Sequence, residues 1–162
     1  MAWQNEICVI IRHLISDLDS SDQTYSDSRL EETIVVAAQL LMEQIDFENT
    51  YTIDADSLSI SPDPTTAGSK DNSFINFVSV KAAIIILRGE CKKYANQSFQ
   101  IKDGPSSISV SDVFKNTKVM LDDMEQALAM AMIQYRIGNA RAGVAILTPY
   151  TTSLVGSRGS IF

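Results

Sequence analysis

The stretch Val80-Lys81-Ala82-Ala83-Ile84-Ile85-Ile86-Leu87 limits the fold more than any other part of the chain. It is apolar on nearly every side except at Lys81, so other elements must enclose it rather than cover a single face. Three consecutive isoleucines suit a central strand, but the alanines before them and the continuation Arg88 to Tyr94 favour a helix. The pattern predicts a helix capped by Ser73 and running to about Lys93, the most buried element, with Gly89 as its weak point. The uninterrupted apolar run Ala82 to Leu87 is far shorter than the ~20 residues a bilayer requires. No membrane span is expected, and no signal peptide, since Met1-Ala2-Trp3-Gln4 puts no basic segment ahead of an apolar one.

Something must surround that helix, and the flanking sequence supplies it. From Trp3, the residues Ile7, Ile10, Ile11, Leu14, Ile15 and Leu18 recur at helical spacing and predict an amphipathic first helix that ends in the Ser- and Asp-rich run 17–27. Ser28-Arg29-Leu30-Glu31 has the form of a capping box, with Asp27 as the competing cap. Beyond it Leu30, Ile34, Ala37, Ala38, Leu41 and Ile45 form one stripe, where small alanines permit close helix approach. Tyr51, Ile53 and Ala55 alternate with polar residues, and the register slips at Ser57, which predicts a strand or hairpin arm with a turn or bulge. Pro62, Pro64 and Gly68 make a loop up to about Asn72. A short hairpin is expected around Asp103-Gly104, with Ile108 and Val110 on its far side. Ser111 or Asp112 then caps a long helix with Val113, Thr117, Met120, Leu121, Met124, Leu128, Ala131 and Tyr135 on one side, stopped by Gly138 or Gly143.

The expected fold class is mainly α: a four-helix domain over residues 1–140, with β or loop material inserted at 49–72 and an extended arm at 141–162. A chain of 162 residues with 45% apolar content can support such a core without a metal or a disulfide. Cys8 and Cys91 stand alone and read as small apolar side chains in helices under reducing conditions, although a disulfide between them is possible. His13 accompanies no nucleophile motif. Asp54, Asp56 and Asp63 lack the Gly and Glu of a calcium loop. Asp56-Ser57-Leu58 has the residue types of a phosphopantetheine site, but Pro62 and Pro64 follow too closely for the required helix. No phosphate-binding glycine loop is present. No cofactor and no metal are expected, and the methionines Met120, Met124, Met130 and Met132 read first as core filling and second as a face for a neighbouring subunit.

All 20 acidic residues lie at or before Glu125, alongside ten of the 13 basic ones, whereas Arg136, Arg141 and Arg158 follow. The acidic body should repel nucleic acid, because duplex binding rests on clustered Lys and Arg. The basic C-terminal part could meet an acidic partner or could simply be solubilising.

The order of elements resembles the head-tail connector proteins of tailed bacteriophages, also called adaptor or head-completion proteins. The likeness rests on the opening helix, on Tyr25-Ser26-Asp27-Ser28-Arg29-Leu30-Glu31-Glu32 leading into Ala37-Ala38, on the long third helix, and on Ile101-Lys102-Asp103-Gly104-Pro105-Ser106-Ser107-Ile108 before the last helix. The resemblance implies a noncatalytic virion protein of the neck. It would form a ring, commonly of twelve copies, between the portal protein and a tail or head-closure protein, and DNA would pass through without specific binding. It also implies that the C-terminal segment engages the portal. The matching positions are Arg141, Ile146, Leu147, Tyr150, Leu154, Arg158, Ile161 and Phe162. A segment this apolar and irregular cannot bury itself, but it can do so in a partner's groove or as an added strand. Two other classes stay open: a tail-completion or head-closure protein, and an unrelated cytosolic helical module or small enzyme with a dispersed site.

Overall fold

The computed structural model describes residues 2–100 and 107–139, so the whole arm 141–162, with Arg141, Ile146, Leu147, Tyr150, Leu154, Arg158, Ile161 and Phe162, lies outside the described residues. The chain is mainly helical: α1 (Ala2–Leu14), α2 (Asp27–Met42), α3 (Asn72–Gln100) and α4 (Ser107–Asn139), with strands β1 (Thr52–Asp54) and β2 (Ser59–Ser61) between α2 and α3.

Helix α3 contacts each of the other three helices, as the nearly all-round apolar middle of a helix requires. Phe74, Val78, Ala82 and Ala83 are fully buried, and Ile84, Ile86 and Leu87 nearly so. From α2 come Leu30, Ile34, Val35, Ala37, Ala38 and Leu41, all without exposed surface. Ala37 and Ala38 are buried in the same core and α2 packs on α3; small side chains favour close ridge-in-groove packing. Helix α1 adds Trp3, Ile7, Cys8 and Ile11.

The polar ends of these helices are closed by side chains that differ from the expected caps. Ser26, not Ser28 or Asp27, is the N-cap of α2: its backbone is extended and its Oγ accepts from the Arg29 N–H at 3.4 Å. Asp71, not Ser73, closes α3, with Oδ1 accepting from the Phe74 N–H at 2.9 Å. In both cases the capping oxygen sits one or two residues upstream of the expected one, within the usual error of reading helix ends from sequence.

β1 and β2 form an antiparallel hairpin with Ile53 opposite Ile60. The register slip at Ser57 corresponds to its turn, where Leu58 has a positive φ of 49°. Asp54 holds that turn by accepting from the Asp56 N–H at 3.0 Å and the Ser57 hydroxyl at 2.6 Å. The inserted segment is fastened to the helices by aromatic rings. Tyr51 stacks on Phe74 with centroids 4.0 Å apart, and Phe47 packs edge-on against both Phe74 and Phe77 and beside Tyr135 of α4.

The hairpin expected around Asp103-Gly104 is corrected in part. Phe99 and Gln100 belong to α3 and Ile108 and Val110 to α4, while residues 101–106 lie outside the described residues. Two apolar residues at alternate positions are too few to separate a strand from a first helical turn. The helical period downstream extends back through them. Gly138 is helical rather than a stop, and Gly143 lies outside the described residues.

Candidate functional site

The described residues hold three kinds of place where chemistry or binding could reside: a buried ion network, a polar pocket, and apolar surface turned to solvent. The network centres on Arg12, a position the sequence pattern leaves among the polar ones. It is nearly buried, as is Asp17. Its guanidinium donates to Asp17 Oδ2 at 2.7 Å, to Asp27 Oδ1 at 2.6 Å and to the Tyr25 carbonyl at 2.9 Å. Asp17 in turn accepts from the Thr24 N–H at 3.0 Å. These bonds tie the end of α1, the loop after it and the start of α2 into one unit. Every strong group here is already matched by another within the chain, so the network reads as structural.

The pocket lies between α2 and α3, has a volume of about 400 Å³, and is lined by Tyr25, Arg29, Thr33, Glu90 and Lys93 among others. Tyr25 donates its hydroxyl to Glu90 at 2.5 Å, and the Arg29 guanidinium lies 5.7 Å from the centre of the Tyr25 ring. Burial pushes the phenol up, and the hydrogen bond and charge of Glu90 push it further. The hydroxyl therefore stays a donor at neutral pH rather than a base. The residues lining this pocket include no histidine or cysteine. His13 is exposed and is not among the residues that line the pocket.

Cys8 is buried in the core, and burial, with the Asp27 and Glu31 carboxylates, lifts its thiol to about 11. It is inert at neutral pH. Cys91 is half-buried, and both cysteines are free. No group of three metal-binding side chains occurs among the described residues. Among them, too, no helix is long and apolar enough to cross a membrane.

The third place is the surface of α4. Its inner side carries Leu121 and Leu128, both buried, with Met124, Ala131 and Tyr135 packed beside them. Of the side chains expected on that stripe, Met120 instead faces water, 39% exposed; Val113 lies where side chains are outside the described residues. On the opposite side, Met130, Ile133 and Ile137 are between 51% and 69% exposed, and Val119 is 60% exposed. At 3.6 residues per turn these four share one outward line. Its C-terminal end is held by Arg136, which donates to the Gln44 carbonyl at the end of α2. Farther along, Arg88 of α3 donates to Glu125 of α4 at 2.8 Å.

The methionine-rich segment is therefore split: Met124 and Met132 pack inward, Met120 and Met130 outward. A second exposed apolar pair, Val36 and Leu40, lies on the outer side of α2. The signal for both was in the sequence, as apolar residues off the main stripe of each helix, but it marks a surface only once the stripe that faces the core is fixed. Comparison of the chain with protein-family models, with curated proteins and with solved structures finds no match.

Proposed function

We propose that this chain is a noncatalytic structural protein of a tailed-phage virion, several copies of which form a ring in the neck, between the portal and the tail. The observation that supports this reading best is the outward line of α4. Four large apolar side chains along one face, with no covering element among the described residues, are what a subunit of a larger assembly leaves for its neighbours. The sequence that follows that line, residues 141–162, is the segment proposed to engage the portal through Arg141, Ile146, Leu147, Tyr150, Leu154, Arg158, Ile161 and Phe162.

Two physical features accord with it. The ion network has the makings of a structural site, with the Arg12 guanidinium matched by Asp17 and Asp27 inside the chain. The concentration of acidic residues before Glu125 suits a conduit that lets DNA slide past, because a ring that gripped phosphates would need clustered cations.

The test is binding to purified portal rings. The full chain is expected to bind them, and the chain shortened to residues 1–140, which keeps every described helix, is expected to lose that binding. Equal binding by both would reject the proposed role of 141–162, and absence of binding by the full chain would reject the neck assignment itself.

A further inference from the structure

The outward faces of α2 and α4 carry related patterns. On α2, Arg29 is followed seven residues later by Val36 and then by Leu40; on α4, Asp123 is followed seven residues later by Met130 and then by Ile133 and Ile137. Each set shares one face of its helix at 3.6 residues per turn, and seven residues place charge and first apolar side chain about 10 Å apart on both. Arg29 and Asp123 are exposed. Beside the α2 set lies an open groove of about 490 Å³, lined by Arg29, Glu32, Thr33, Val36 and Ile85 among others.

We infer that the outward face of α4 in one copy of this chain docks parallel to α2 in a second copy, with Met130 on Val36, Ile133 and Ile137 about Leu40, and Asp123 opposite Arg29. Charge selects the direction. With Val36 kept against Met130, the antiparallel arrangement sets Glu43 against Asp123, a like-charge contact, and leaves Arg29 level with Ile137, just as the parallel one leaves Glu43 level with Ile137. The parallel one pairs opposite charges. Because the two surfaces differ, the contact is head-to-tail, and repetition of it gives a ring if the rotation closes. This rests on the ring reading above and adds the surfaces that build it.

The experiment uses the full chain and follows self-association by sedimentation velocity. R29D and D123R are each expected to weaken it about tenfold, as charge reversal places like charges in contact. An equimolar mixture of the two single variants is expected to recover association to within about threefold of the unsubstituted chain, because alternating copies pair opposite charges at every contact. A role confined within one chain would not be rescued by mixing. Failure of the mixture to recover, or no effect of either variant, overturns this interface while assembly of the unsubstituted chain leaves the ring reading standing. An unsubstituted chain that stays monomeric overturns both. If L154D/F162D dissociates the assembly while R29D and D123R do not, the occupant of the groove is the C-terminal segment, and the α2–α4 contact is wrong.

Discussion

Arg12 and Asp71 show how much a single polar side chain holds in a small helical fold. Arg12 bridges α1 to Asp17 and Asp27, and Asp17 is buried enough that loss of its partner leaves a carboxylate in a poor solvent. R12M is expected to lower the stability to unfolding by about 3 kcal/mol, measured by urea titration, because breaking a buried pair strands the remaining charge. Asp71 caps α3 and at the same time accepts from Asn49 Nδ2 at 3.0 Å and the Tyr51 hydroxyl at 2.9 Å. Burial pushes its carboxyl up, but the Phe74 N–H together with Asn49 and Tyr51 outweighs that and holds it below the ordinary carboxylate value. A depressed carboxyl stabilises the fold above its unfolded pKa of about 4 and loses that contribution as pH falls through the lower folded value. D71A is expected to cost about 1–2 kcal/mol at neutral pH. The gap between D71A and the unsubstituted chain should shrink as pH drops below about 4; a gap that widens there would contradict the assignment.

The helices were readable from sequence where one apolar face meets one core. The α2 stripe from Leu30 to Ile45 is buried throughout, and the all-round apolar run at Val80 to Leu87 is the centre of the bundle. Reading failed where polar chemistry or a neighbouring element decides. Arg12 sits at a polar position of the α1 pattern, and only the fold brings Asp17 and Asp27 to it from later in the chain. Leu18 fits the α1 period but is exposed, because α1 ends at Leu14 and Ser16 turns the backbone with a φ of 61°. The sequence marks Gly89 as a weak point, yet α3 continues through it, and a Cβ added there meets nothing within 4 Å. Relief of backbone entropy should then dominate: G89A is expected to raise stability by about 0.5–1 kcal/mol, read as a rise in the thermal midpoint. A fall would mean that the glycine meets a neighbour outside the described residues. The surface on α4 was half-legible, since the abundance of apolar residues was plain and their division into inner and outer sides was not.

At the scale of the molecule, the buried middle of α3 meets all three other helices, while α2 and α4 each keep an apolar outward face. Those outer faces set how copies meet, while the interior sets whether one copy folds. Because Met130, Ile133 and Ile137 point away from the core, polar substitution there should change stability by less than about 1 kcal/mol, so association can be tested apart from folding. The most direct measurement is the mass distribution of the full chain beside I133D/I137D, both checked for equal helical content by circular dichroism. The unsubstituted chain is expected to form a closed assembly of one size and I133D/I137D a folded monomer; an assembly unchanged by I133D/I137D, or an unsubstituted chain that never leaves the monomer, would contradict assembly through α4.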